Sequence, residues 1–360
     1  MATSRQLREQ IAAGRWDAAL AALYGGSEKV LARQRSRYGA ALEQFELYYG
    51  PGRQVQVYSA PGRTELGGNH TDHQHGYGLA GAVTLDLVAV ASRNEDGFIR
   101  VKSRGFNKLD VIDLTEAEPQ QGESTHSASL IRGIAEGFRA KGCDVGGFDA
   151  YTASDVLRGS GLSSSAAFEM GVAMILNMEY GCGLDAPALA RICQFAENTY
   201  FGKPSGLLDQ LTSAVGGVLF ADFADPTAPK IEKIQTIPST APERTSQLTA
   251  ACTIRMSEDE THLFCSNAGD NSVSVYERDA QTGLLKLLCC LPISGDYPKD
   301  IAIFPDGNHL ASINHGSNSI SFFQVEYKEK LLVMSGRSIS VNEPNCCVIT
   351  KVPTRGKKAD

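Results

Sequence analysis

The sequence has no run that is long and apolar throughout, and it has no excess of positive charge. Its opening, MATSRQLREQIAAGRWDAAL, lacks an apolar core of signal-peptide length, and the most apolar later stretch, GLAGAVTLDLVAVAS, is interrupted by Asp86. Neither a secretory leader nor a membrane span is expected, and the expected setting is the cytoplasm. A formal net charge of −7 argues against nucleic acid or an anionic membrane as the main partner. The chain also lacks any Cys-x-x-Cys. Its 9 cysteines are scattered, with adjacent pairs at Cys289/Cys290 and Cys346/Cys347, which suits reduced thiols rather than a disulfide framework. A Walker loop is missing too, since no GK[ST] occurs.

What is present is a chain of 360 residues, long enough for two domains. Residues 5–48 place Leu7, Ile11, Leu20 and Leu23, then Leu31, Leu42 and Phe45, at helical spacing among charges, which predicts two amphipathic helices broken at Tyr24-Gly25-Gly26. Strand-like runs follow at Val55–Tyr58, Leu85–Ala91 and Phe98–Lys102. Helical patterns return at Ser129–Lys141, Ser165–Glu179 and Ala186–Phe201. This order predicts an α+β domain rather than regular βαβ winding.

After about Pro238 the texture changes. PSTAPERTSQ reads as a polar linker, and beyond it IRMSEDETHLFCSNAGDNSVSVY from Ile254 aligns without a gap on IAIFPDGNHLASINHGSNSISFF from Ile301, a period of 301 − 254 = 47 residues. Short alternating strands with Asp-Gly or Gly-Asp turns at that period predict propeller blades. About two blades fit, whereas a closed ring needs at least about four, so blade faces are left open. The expected boundaries are 1–238, a linker at 239–246, blades at 247–350 and a basic tail at 351–360.

The sharpest chemical signal is LRGSGLSSSAAFEM, residues 157–170. Gly159 and Gly161 let backbone approach a phosphate, and Ser163, Ser164 and Ser165 offer hydroxyls where a helix begins, so the N–H groups there form an anion site. The bland alternative is a Gly/Ser linker that caps a helix. The strand-like lead at Phe148–Ala153 and the Ala-rich helix that follows favour the phosphate. A second cluster is GGNHTDHQHG, with His70, His73, His75 and Asp72 close together among 7 histidines in all. Zinc is one reading, but Gly67, Gly68 and Gly76 make a loop, and zinc histidines are more often paired at i, i+4 on a helix or with cysteine. Carboxylate, amide and imidazole groups converging on one pocket suit the vicinal hydroxyls of a sugar. Asp209 stands among Leu207, Leu208 and Leu211, where an unpaired carboxylate is costly, so it needs a cationic partner or a task.

These segments carry a resemblance. GSGLSSSAA resembles the second motif of the GHMP kinases, and APGRTELGGNHTDHQHG resembles the first motif of galactokinases. The likeness continues through FGKPSGLLDQLTSAVGGVLFADF and covers about residues 5–238. It implies the fold of a GHMP-kinase N-terminal domain, ribosomal S5 domain 2-like, and transfer of the ATP γ-phosphoryl group to the anomeric hydroxyl of galactose, with Mg2+. By the same resemblance Gly159, Ser160, Gly161, Leu162, Ser163, Ser164 and Ser165 bind ATP, and Ser165 and Glu197 are the metal ligands. Asn69, His70, Thr71 and Asp72 grip the sugar. Asp209 lies beside the attacking hydroxyl as the proposed base, with Arg63 steadying it and the developing charge. An Asp paired to Arg is a weak base, which favours orientation of the hydroxyl over full proton abstraction.

The family pattern is kept only in part. The commoner form has Glu at the place of Asn69 and Asn at that of Glu65, and nothing after Gly217 resembles the third, GGGFGG-type motif. EDETHLFCSNAGDNSVSVYERDAQTGLLKLL and PKDIAIFPDGNHLASINHGSNSISFFQVE instead resemble blades of the lactonase family of seven-bladed propellers, which includes 6-phosphogluconolactonases, over about residues 247–350. The chain thus reads as a kinase front joined to a lactonase rear. A galactokinase-like enzyme, a non-catalytic sugar or nucleotide binder and a lactonase fragment are the three functions this allows.

Overall fold

In a computed structural model of the chain, Thr3 opens the first helix with a reciprocal cap. Its hydroxyl accepts from Gln6 N at 3.3 Å while Gln6 Oε1 accepts from Thr3 N at 2.9 Å, so strand β1 (Ala2–Thr3) passes directly into helix α1 (Ser4–Ala12). The structure describes residues 2–68, 70–120, 122–156, 161–225, 229–235, 237–240 and 250–350. Two units result, Met1–Thr236 and Ile237–Asp360. The expected tail at 351–360 and most of the expected linker lie outside the described residues.

The amino-terminal region has three helices, not the expected two. Gly14 adopts φ +73 and separates α1 from α2 (Asp17–Tyr24), although the apolar spacing runs on across it. Gly25 ends α2, Ser27 caps α3 (Glu28–Tyr49) by accepting from Val30 N, and Gly50 ends α3 at φ +86. Strands β2 (Gln54–Gly67), β3 (Tyr77–Arg93), β4 (Phe98–Ser103) and β5 (Leu109–Asp113) follow, then α4 (Ser127–Ala140), β6 (Phe148–Ser154) and α5 (Ser164–Glu179). Helix α6 (Ala186–Phe195) runs into a π-helical turn at Ala196–Phe201, and α7 (Leu208–Val215), β7 (Val218–Asp222) and β8 (Lys230–Gln235) complete the unit. The expected strands and later helices each coincide with one of these elements. The strand order is β1-β2-β3-β6-β4-β5, with β7 on β3 and β8 on β7. Only the β4–β6 pair is parallel among the described pairings, which fits an α+β sheet.

Strand β3 explains why the sheet is covered on both sides. Successive strand residues face opposite ways. Val88 and Val90 join Leu20, Leu42, Phe45 and Tyr151 in one core cluster under the amino-terminal helices, whereas Leu87 lies under Gly171 of α5. Every residue from Leu85 to Ser92 is buried. Asp86 is the charge in that run, 2% exposed, and it faces the helices. It accepts from Arg37 Nη1 at 2.5 Å, Tyr24 Oη at 2.6 Å and Ser59 Oγ at 2.5 Å. Arg37, also buried, reaches Asp155 at 3.2 Å, where Arg33 and Arg104 converge as well. The interruption in the apolar stretch is therefore the tie between α2, α3 and the sheet.

β3 also changes partners along its length. Tyr77–Gly81 pair with β7, and Leu87–Arg93 pair with β6. Between them the β2 register shifts from Pro61↔Asp86 to Arg63↔Ala82. The gap is met by the loop before α5, since Arg63 N donates to Leu162 O at 3.1 Å, and a Cβ on Gly62 would stand 2.7 Å from that oxygen.

The second unit is two antiparallel sheets. One runs β12-β11-β10-β9, from β9 (Ala250–Met256), β10 (His262–Ala268), β11 (Ser272–Arg278) and β12 (Leu285–Pro292). The other runs β13-β14-β15-β16, from β13 (Pro298–Ile303), β14 (His309–Asn314), β15 (Ser319–Glu326) and β16 (Leu331–Met334), with β17 (Ile339–Ser340) also on β15. The 47-residue repeat reappears in the hydrogen bonds. Asn267 Nδ2 donates to Ser272, Ser274 and Ser239 O, and Asn314 Nδ2 donates to Ser319, Ser321 and Ser294 O. Among the described residues no helix is long and apolar enough to cross a membrane.

Removing one partner of a buried ion pair leaves the other uncompensated. Asp86→Ala is expected to cost about 3–5 kcal/mol, read as a lowered urea midpoint, whereas Ser59→Ala is expected to cost about 1 kcal/mol.

Candidate active site

Four elements meet where β3 changes partners. β2 brings Arg63, the turn before α5 brings Gly161–Ser163, the first turn of α7 brings Asp209, and the loop after β2 brings His70–Asp72. Arg63 is buried, and its Nε donates to Asp209 Oδ1 at 2.6 Å while Nη1 donates to Gly161 O at 2.9 Å. Ser163 has φ +54, and its hydroxyl donates to Asp209 Oδ2. One carboxylate is thus held at both oxygens by groups from two other elements. Because the Ser163 hydroxyl is engaged there, the N-cap side chain leaves the first amides of α5 uncapped among the described residues. Uncapped amides at a helix N-terminus suit an anion. Leu162 is buried beneath the turn, and Ser164 and Ser165 are half-buried in the first turn of α5. Gly159 and Ser160 lie outside the described residues.

The histidine-rich loop is a short 3-10 turn, Thr71–Gln74, flanked by His70 and His75 in left-handed conformation. Asp72 is buried and accepts from Leu208 N at 3.0 Å, so it meets the start of α7, one residue from Asp209. A Cβ on Gly206 would stand 1.8 Å from Asp72 Oδ2, which is why that close approach needs glycine. Thr71 Oγ1 donates to Tyr77 O at 2.5 Å and closes the loop. The His70 ring is 3.6 Å from Glu65 Oε2, and the His70 backbone N–H donates to Glu65 Oε1 at 2.6 Å. Asn69 lies outside the described residues, and His73 and His75 are exposed. Among the described residues no three His, Cys, Asp or Glu side chains gather as a metal-binding group.

Glu197 is the second residue of the π-helical turn after α6 and is 2% exposed. Its Oε1 accepts from Lys203 Nζ at 2.7 Å and its Oε2 from Gln210 Nε2 at 2.8 Å. Gln210 also donates to Glu169 Oε2 at 3.1 Å, and among the described residues Glu169 Oε1 and Gln210 Oε1 are buried without a partner. No hydrogen bond joins Ser165 to Glu197 among the described residues. Sequence reasoning missed Glu169, Lys203 and Gln210. A signal for Glu169 was available, because it stands four residues after Ser165 and so on the same helix face. Burial pushes the Glu169 carboxyl well above its usual range, and the nearby Glu197 charge adds to this. Burial works to lower Lys203, but the bond to Glu197 prevails and its ammonium is held above the usual value.

With this geometry in place, the matches to known families can be located on it. Residues 43–93 match the galactokinase galactose-binding signature, residues 129–217 the GHMP kinases N terminal domain, and residues 214–349 the seven-bladed β-propeller lactonase family. Galactokinase and lactonase signatures sit on one chain. The galactokinase of Streptomyces coelicolor is 38% identical over 190 residues, covering 52% of this chain and 49% of that protein. That of Chloroflexus aurantiacus is 36% identical over 172 residues, covering 48% and 43%. The structure of Lactococcus lactis galactokinase complexed with galactose aligns at a TM-score of 0.50 and 27% identity, over 54% of this chain and 50% of that one. The chain spans about half the length of the galactokinases it matches. The galactose-binding signature covers β2, the His70–Asp72 loop and β3, and the GHMP match runs from α4 through the loop before α5 to α7.

The buried Glu169 sets a pH dependence. Its folded value lies above the ordinary 4.5, so the stability it contributes is fully present below that pH and is lost as pH rises toward the folded value. Glu169→Gln is expected to remove that loss, raising the urea midpoint at pH 7 and leaving it nearly unchanged at pH 4.

Proposed function

We propose that the front of the chain, residues 1–238, is a sugar kinase that transfers the ATP γ-phosphoryl group to the anomeric hydroxyl of galactose. In this reading 239–246 is a linker, 247–350 are lactonase-type blades and 351–360 is a basic tail. The observation that carries it is the Arg63–Asp209–Ser163 cluster, set between the uncapped start of α5 and the Asp72 loop.

The transferred group needs alignment and positive charge more than covalent help. The amides of Gly161–Ser165, with Gly159 and Ser160, take the ATP phosphates, and Asn69, His70, Thr71 and Asp72 take the sugar. Asp209, fixed by Arg63 and Ser163, accepts from the attacking hydroxyl and orients its oxygen toward the γ-phosphorus. That oxygen forms the new P–O bond as the bond to the ADP oxygen breaks. The hydroxyl proton leaves toward Asp209, and Arg63 offsets the negative charge beside it.

The donor set fits magnesium. Ser165 and Glu197 would hold it, both hard oxygen donors, and the Lys203 ammonium already places a cation on Glu197. When bound there, magnesium would supply positive charge that offsets the negative charge of the phosphate oxygens.

Purified protein with galactose and Mg-ATP is expected to give galactose 1-phosphate, with a galactose-dependent rise in melting temperature. Asp209→Asn is expected to lower the rate by about 100-fold or more while leaving the melting shift nearly unchanged. A melting shift without product would leave a sugar binder. Absence of both would reject the reading, and hydrolysis of 6-phosphogluconolactone that survives Asp209→Asn would favour the lactonase end.

A further inference from the structure

The two oxygens of Glu197 are held in unlike ways. Oε2 takes an amide N–H from Gln210, a fully buried side chain on α7. Oε1 takes the ammonium of Lys203, whose side chain is 55% exposed although the carboxylate it meets is only 2% exposed. The Lys203 backbone is fixed, since its N–H donates to Glu197 O at 3.1 Å, and Ser205 is tied to Asn198 by three hydrogen bonds. A four-carbon stem on an anchored backbone can move its charged end into water without disturbing the loop.

We propose that Lys203 is an internal counter-ion that competes with a divalent cation for Glu197 Oε1 and so sets the affinity of that carboxylate for the metal. This rests on the reading above that Glu197 is a metal ligand. A buried carboxylate with no cation is costly, and Lys203 meets that cost while no metal is bound. The surroundings define what the exchange changes. Asp209 is already matched by Arg63, and Glu197 is matched by Lys203. Replacing a single charge on Oε1 with a double one, and freeing the ammonium, raises the local positive charge at the moment phosphate oxygens arrive. Gln210 keeps Oε2 in place throughout, because its amide is braced against Glu169 on α5.

The test uses the full chain and Mn2+ alone, with free ion read by electron paramagnetic resonance and the fold checked by circular dichroism. Lys203→Met is expected to bind Mn2+ about fivefold tighter than the unmodified protein, because the competing charge is gone. Lys203→Arg keeps the charge and grips a carboxylate more rigidly, so it is expected to bind Mn2+ more weakly. Glu197→Gln is expected to remove this binding. A folded Lys203→Met with unchanged or weaker affinity would overturn the proposal, and so would a Lys203→Arg protein that binds as well as the unmodified one. If Glu197→Gln binds Mn2+ as the unmodified protein does, the metal reading of Glu197 fails and the counter-ion falls with it.

Discussion

A carboxylate taken out of water must meet a cation, receive N–H donors or keep its proton. Five of the acidic side chains inside or beside the core of the front unit show three ways of answering that demand. Asp86 and Asp209 meet guanidinium groups, Glu197 meets an ammonium, Asp72 takes the amide at the start of α7, and burial shifts Glu169 toward its neutral form. Each answer joins elements far apart in sequence. Arg37 and Asp86 lock the amino-terminal helices to β3, and Arg63 and Asp209 lock β2 to α7. The positions that define the candidate site follow from the same requirement that holds the unit together.

The two buried arginine pairs differ in what surrounds them. Around Asp86, hydroxyls of Tyr24 and Ser59 complete the carboxylate, and the residue is sealed. Around Asp209 the side chain remains partly open, 23% exposed. A carboxylate that is fixed yet open can accept one more donor, which is what a substrate hydroxyl offers. Arg37 and Arg63 are similarly buried, so the difference between the two anions lies in their access to solvent rather than in the burial of their cations.

Much of this was legible in the sequence. The glycine and serine run before α5, the apolar surroundings of Asp209 and the 47-residue repeat each stand in one continuous stretch, so spacing and composition reveal them. The break at Gly14 was hidden because the apolar period continues across it, and only the backbone conformation shows that the helix ends. The Glu169–Gln210–Glu197 contacts were hidden for another reason, since they join α5, α7 and the turn after α6. The Glu of SSSAAFEM shares a helix face with Ser165, which sequence shows, but its burial and the cost of that burial appear only once the elements pack. The recognisable lactonase stretch begins at residue 214, inside α7, whereas the structural division falls after Thr236. Sequence likeness and chain packing therefore mark different borders.

The doubled Asn–Ser pattern of the rear unit gives it an internal standard. Asn267 and Asn314 make matching bonds to two serine hydroxyls and one serine carbonyl in separate sheets of the same molecule. Solvent, temperature and chain concentration are the same for both, so a difference in amide exchange between the two sheets, after allowance for local sequence, reports how each is packed. In one sheet β12 pairs along all of β11, whereas in the other the matching edge of β15 is divided between β16 and β17. The molecule thus contains, within one chain, a paired comparison of a blade with a continuous edge strand and one with a divided edge.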